Sequence, residues 1–168
     1  MKNKNIFGIV GWKNSGKTTL IEKLVQYLTD KGYQISTIKH AHHSFDIDHE
    51  GTDSFRHRKA GAKEVILASR KRWALMHELK DKPEKDFDFL VNSLSQTDLI
   101  LVEGFKEERH NKIEVIRREN KKTPIHKTDE SILAIATDYK ITDASLPIFH
   151  LDEISKIADF ILKKVNLK

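Results

Sequence analysis

Gly8-Ile9-Val10-Gly11-Trp12-Lys13-Asn14-Ser15-Gly16-Lys17-Thr18-Thr19 is the stretch from which the rest of the chain can be read. Ile6 to Val10 is a short apolar run suited to a buried strand, and Leu20, Ile21, Leu24, Val25 and Leu28 recur at helical spacing. Between them lies G-x-x-x-x-G-K-T, Gly11 to Thr18, so strand, glycine-bounded loop and helix follow in the order of a phosphate-binding P-loop. Gly11 and Gly16 can take backbone angles closed to residues with a Cβ, which lets the chain curl around an anion. Loop N–H groups and the helix N-terminus then aim at one spot. Gly11, Asn14, Ser15, Gly16, Lys17, Thr18 and Thr19 form the expected cradle. Lys17 would reach the β- and γ-phosphates, as a binding and catalytic group, and the Thr18 hydroxyl would ligate Mg²⁺.

Outward from the loop, the first helix is expected from Lys17 to Lys31, with Gly32 as its C′ residue. Tyr33 to Lys39 reads as a strand, and a histidine- and aspartate-rich loop runs on to Gly51. Thr52 or Asp53 would cap a short helix through Ala60. Glu64 to Ser69 and Trp73 to Leu79 flank Arg70-Lys71-Arg72 as a β-hairpin. Asp81 and Pro83 would open a helix whose Phe87, Leu90, Val91 and Leu94 share a face. Further strands are expected at Asp98 to Val102, Lys112 to Arg117, Ile132 to Thr137 and Ile148 to Leu151, and a last helix capped by Asp152. Strands alternating with helices imply an α/β fold of the P-loop NTPase type. Its sheet would be mostly parallel with helices on both faces, interrupted by an inserted hairpin at about 64–79. The 168 residues suit one domain, 1–168.

Composition narrows the function classes. There is no cysteine, so disulfides and thiolate metal sites are excluded. Met1-Lys2-Asn3-Lys4 precedes an apolar run too short for a signal peptide, and no run is long enough to span a bilayer, so a cytoplasmic location without a membrane partner is expected. A net charge of +5 favours anionic partners, and nucleotides satisfy it as well as nucleic acid does.

Several polar residues are candidates for chemistry. A P-loop needs an acidic partner for Mg²⁺ at the end of a buried strand, and Glu103, closing Asp98-Leu99-Ile100-Leu101-Val102, is in that place. Read without the motif it is an ordinary strand-end carboxylate. Between Lys39 and Asp53 stand His40, His42, His43 and His49 with Asp46, Asp48 and Asp53. A nucleotide-sensing switch would place Asp46 or Asp48 near Mg²⁺ or an attacking water. A transition-metal site and a solvated polar loop are the alternatives. Asp138, after Ala136-Thr137, could accept from guanine N1 and N2, although the N-K-x-D signature is absent. No glutamine follows Glu103-Gly104 to position water, and no arginine finger can be singled out, so any hydrolysis should be slow.

Three segments together carry a resemblance: Gly11 to Leu20 (GWKNSGKTTL), Ile38 to Ala62 (IKHAHHSFDIDHEGTDSFRHRKAGA) and Asp98 to Val115 (DLILVEGFKEERHNKIEV). The chain resembles, over nearly its whole length, the molybdopterin-guanine dinucleotide biosynthesis protein B family of GTP-binding adaptors. The resemblance implies GTP and Mg²⁺ as cofactors, weak GTPase activity, a homodimer, and the molybdenum cofactor guanylyltransferase as partner, with molybdopterin as a candidate further ligand. It places the family's motif residues on Gly11, Gly16, Lys17, Thr18 and Thr19, on His40, Asp46, Asp48, Gly51 and Asp53, and on Glu103, Gly104 and Lys106. Where such relatives often carry proline, Asn111 precedes Lys112 here, and Lys13 is one place from the second lysine of related ATPases. The hairpin, too short to stand alone in water, would pair with a second copy or extend its own sheet.

Rival readings share the P-loop. A small-molecule kinase would want an arginine-rich lid, for which the Arg117-Arg118 loop is a candidate. A nickel-delivering GTPase would use the histidine-rich loop. A nucleic-acid binder lacks support, since no aromatic-basic motif accompanies the dispersed lysines.

Overall fold

The computed structural model describes residues 4–41, 45–142 and 145–167. In chain order the elements are β1 (Ile6–Val10), α1 (Lys17–Asp30), β2 (Ile35–Lys39), α2 (Asp53–Lys59), β3 (Glu64–Ala68), β4 (Trp73–His77), α3 (Phe87–Ser93), β5 (Leu99–Glu103), β6 (Lys112–Ile116), β7 (Ile132–Thr137), β8 (Ile148–His150) and α4 (Ile154–Lys164), with a 3₁₀ turn at Ile125–Lys127. They fall into two compact units, Met1–His40 with Phe87–Lys168, and Ala41–Asp86. Among the described residues no helix is long and apolar enough to cross a membrane.

The first unit is a six-stranded parallel sheet in the order β2-β5-β1-β6-β7-β8. Parallel strands covered on both sides read as continuous apolar runs, and β5 (LILVE) shows how the two faces divide. Leu99 and Leu101 point into a core with Phe7, Ile9, Ile113, Val115, Ala134 and Ala136, covered by Leu20, Leu24 and Leu28 of α1 and Ile157, Ile161 and Leu162 of α4. Ile100 and Val102 face the other way, against Ile38 and against Phe87 and Val91 of α3. The expected α/β architecture, with helices on both faces and a hairpin apart from the main sheet, is therefore present.

Beyond α3 the second face is closed by loops, and two buried charges hold them there. Lys112, 1% exposed, donates through Nζ to the Lys106 carbonyl and to Asp129, both at 2.8 Å. Glu114, fully buried, accepts from the Ile125 and His126 backbone N–H groups at 2.7 and 2.9 Å, and His126 Nδ1 lies 2.6 Å from it. Buried charges are tolerable when paired and hydrogen-bonded, as here. An aromatic row, His40–Phe105–Phe87–His110, runs along the same face with ring centroids 4.9 to 5.0 Å apart. Gly8 admits the end of that row: a Cβ there would stand 2.4 Å from His110 Nε2.

The second unit holds α2 and the antiparallel hairpin β3–β4, a separate two-stranded sheet rather than an extension of the main one. Thr52 caps α2, its hydroxyl accepting from Phe55 N. Val65 and Met76 are buried on one face of the ribbon, while Ile66, Trp73 and Leu75 of the other face are exposed.

Two expected helix starts are corrected. α3 begins at Phe87 and not near Asp81 or Pro83, because Glu84, Lys85 and Asp86 offer no apolar side chain to bury. Asp152 does not cap α4. Its carboxylate accepts from Lys23 Nζ at 2.9 Å, and Glu153 holds the N-cap position without a side-chain cap bond.

His110 makes the pH behaviour of this fold testable. Both ring nitrogens are buried and, among the described residues, have no hydrogen-bond partner. Burial first, and then the Lys112 charge, push its pKa from 6.5 down to about 4, against an opposing pull from Asp129. The unfolded chain takes up a proton that the native state refuses until about pH 4, so stability present above pH 6.5 is lost as the pH falls between those values. His110→Phe, which keeps a ring against Phe87, should flatten the fall in melting temperature over that window. A variant whose midpoint declines as steeply as the parent's would remove His110 as the cause.

Candidate phosphate-binding site

The loop between β1 and α1 turns on three residues of positive φ, Gly11 at 147°, Asn14 at 65° and Gly16 at 94°. Ser15 N donates to Trp12 O at 3.2 Å and closes the turn. Gly11 is fixed by crowding as well as by φ, since a Cβ there would lie 2.5 Å from Val115 O and 2.7 Å from Ser15 Oγ. Ser15 Oγ is itself buried and, among the described residues, has no hydrogen-bond partner. Gly16 stands at the N-cap of α1 with no side-chain cap, and the first turn carries no acid. The leading N–H groups and the positive end of the helix dipole are thus left for an anion. A cavity of about 330 Å³ opens there, lined by Asn14, Gly16, Lys17, Thr18, Thr19, Arg117 and Glu119.

Lys17 donates to Trp12 O at 3.0 Å. Partial burial, together with the charges of Lys106 and Lys39, holds its pKa below the ordinary lysine value, although Glu103 pulls the other way. An ammonium among other cations gains from an incoming anion, which restores its preference for the charged form.

Glu103 and Thr18, read separately from the sequence, meet in space. Thr18 Oγ1 donates to Glu103 Oε1 at 2.9 Å, and Lys39 Nζ lies 3.5 Å from the same oxygen. A hydroxyl and a carboxylate beside a phosphate cradle fit Mg²⁺, which takes one or two carboxylates together with substrate phosphates. Among the described residues no group of three or more His, Asp or Glu is arranged to hold a metal ion. His42 and His43 lie outside the described residues.

The remaining candidates are distributed as follows. Asp138, just past β7, has Oδ2 3.5 Å from Arg117 Nη1, and its Oδ1 accepts from Arg118 N at 3.3 Å. Asp46 and Asp48 belong to the second unit, where both accept from Arg58 Nη2, at 2.9 and 2.6 Å, and Glu78 accepts from Nη1. Arg58 holds the Asp48 carboxyl below the usual carboxylate range. Two contributors lie outside the P-loop reading of the sequence: Lys39 beside Glu103, and Arg117, named there only for a kinase lid, against Ser15 and Gly16. Trp12 fills the first variable position of the motif. Its ring carries Lys106 and Lys122 ammoniums 4.2 and 4.6 Å from its centroid, and its Nε1 donates to Thr123 O at 2.9 Å.

Known proteins resemble this chain over most of its length. The family model described as molybdopterin guanine dinucleotide synthesis protein B matches residues 6–138. A molybdopterin-guanine dinucleotide biosynthesis adapter protein of Haemophilus influenzae is 44% identical over 93% of this chain and 86% of its own. One of Escherichia coli is 38% identical over 94% of this chain and 91% of its own. The crystal structure of Bacillus subtilis MobB superposes with a TM-score of 0.76 at 28% identity, covering 98% of both chains.

Gly11→Ala should lower stability by about 1–3 kcal/mol, the usual cost of forcing atoms into a filled space. The cause is the collision of its Cβ with Val115 O and Ser15 Oγ. Thermal melts check this. An unchanged midpoint would mean that the loop relaxes freely and is no rigid cradle.

Proposed function

We infer the function from one premise: the chain belongs to the molybdopterin guanine dinucleotide synthesis protein B family. It is an adapter in molybdopterin guanine dinucleotide biosynthesis. Our reading is that this adapter is loaded with GTP and Mg²⁺ and that the loaded state is what the molybdenum cofactor guanylyltransferase recognises. The observation that carries it is the 2.9 Å hydrogen bond from Thr18 to Glu103 beside a helix start free of side-chain caps. In the loaded protein Lys17 lies against the β- and γ-phosphates, and Thr18 and Glu103 hold the metal. Asp138 accepts from guanine N1 and N2. A carboxylate has about four acceptor positions, so its contacts with Arg117 and Arg118 leave room for a base. Adenine, with an acceptor at N1, is disfavoured by two acceptors meeting without a proton. With no water-positioning glutamine after Gly104, turnover is slow, about 10⁻⁴ to 10⁻² s⁻¹.

Isothermal titration calorimetry with GTP and ATP, with and without Mg²⁺, tests the reading. GTP should bind more tightly than ATP, and Mg²⁺ should strengthen it. Glu103→Gln should abolish the Mg²⁺ increment while leaving metal-free binding in place. Failure to take up any purine triphosphate would end the nucleotide reading, and an unaltered Mg²⁺ increment in Glu103→Gln would end the metal assignment.

The adapter also acts as a homodimer in this reading. One face of the β3–β4 ribbon exposes 66% of Ile66, 72% of Trp73 and 48% of Leu75, a patch that a second copy would cover. Light scattering at micromolar concentration should give twice the chain mass, and Trp73→Glu should halve it. A monomeric parent would refute the pairing.

A further inference from the structure

We propose that Arg117 is a second cationic ligand of the bound nucleotide, gripping the phosphate next to the nucleoside from the side of the cradle opposite Glu103. The inference rests on the nucleotide loading proposed above and assigns a role that the P-loop motif does not contain. β1 lies between β5 and β6, and all three run in the same direction. The residues closing β5 and following β6 therefore flank the loop that leaves β1 from opposite sides. Glu103 closes β5 and meets Thr18. Arg117 is the first residue past β6 and meets the other rim, its Nε donating to Ser15 O at 3.2 Å. Its Nε and Nη2 both stand 3.1 Å from the point a Cβ on Gly16 would occupy. Gly16 therefore serves two ends: it turns the chain at φ 94° and leaves the guanidinium space to lie on the cradle.

The guanidinium has donors to spare. It carries five N–H groups. One serves Ser15 O, and one reaches Asp138 Oδ2 at the long distance of 3.5 Å. The others belong to a side chain that is 40% exposed and lines the cavity with Asn14, Lys17 and Thr19. Glu119, also on that wall, and Asp138 keep the local charge balanced until a phosphate arrives. A planar fork that is always charged suits phosphate oxygens better than the point charge of a lysine does. With the metal and Lys17 serving the β- and γ-phosphates, Arg117 is left the α-phosphate. Its contribution should then be the same for a diphosphate and a triphosphate, and indifferent to the base.

Titration calorimetry of the full chain with GDP, GTP and ATP, on the parent, Arg117→Gln and Arg117→Lys, decides the matter. Arg117→Gln should weaken all three by one common factor, about ten- to a hundredfold for a lost charge-assisted hydrogen bond. The GTP-to-GDP ratio and the Mg²⁺ increment should stay as in the parent. Arg117→Lys should recover part of the loss, and both variants should melt near the parent temperature. Parent-like affinities in Arg117→Gln overturn the assignment, as does a loss confined to triphosphates. Equal losses in both variants with a lowered melting point mean that Arg117 only ties down Ser15, and also overturn it. Asp138→Asn separates base from phosphate, because it should change the GTP-to-ATP ratio where Arg117→Gln does not. A parent protein that takes up no nucleotide removes the loading reading itself and this inference with it, whereas uptake undiminished in Arg117→Gln removes this inference alone.

Discussion

Three neighbouring parallel strands held in one register are the constraint behind the whole site. Ile9 lies opposite Glu103 on one side, and Val10 opposite Glu114 on the other. That register sets where the chain leaving β1 can turn, and which side chains of β5 and β6 reach the turn. Parallel ladders need long crossovers, so residues more than eighty positions apart, such as Thr18 and Glu103, meet only because the ladder is in register. A slip of one residue would exchange the faces of β1 and separate Glu103 from Thr18.

Behind the site, β6 carries the opposite of what its pattern advertises. Lys-Ile-Glu-Val-Ile alternates as a half-exposed strand does, yet all five side chains are buried. The charges at Lys112 and Glu114 bind the loop at Lys106 and the loop at Ile125–His126. Each of those loops sends a lysine, Lys106 and Lys122, over Trp12. The two buried side chains of β6 thereby support the outer wall of the loop from Gly11 to Gly16. Removing Asp129 would leave Lys112 an uncompensated buried charge, which is more costly than the pair was stabilising.

What the sequence made legible was local. The loop, its helix and the strand before it are contiguous, and each signal — glycine, ammonium, hydroxyl, apolar spacing — lies within a few residues of the next. Glu103 was legible because a strand of four buried apolar residues ends on it. The hairpin was legible from two β-prone runs about a short basic turn. What failed was non-local. Asp152 has the chemistry of a cap, but Lys23 from a distant helix claims its carboxylate. Asp46 and Asp48 read as acids for Mg²⁺ or an attacking water, and the ion pairs that both make with Arg58 could not be read from the order of residues. Arg117 could be offered only as part of a kinase lid, because nothing in the order of residues says that β6 lies beside β1.

The placing of Trp12 has a spectroscopic consequence. The chain has two tryptophans, one packed under Lys106 and Lys122 at the loop and one on the exposed ribbon at Trp73. An indole pressed by two ammoniums emits in a field set by their positions, so a small shift of either lysine would alter its colour and yield. With Trp73 replaced, the protein would carry a single tryptophan, at the edge of its cradle, a gauge of that loop's electrostatics that needs no attached dye.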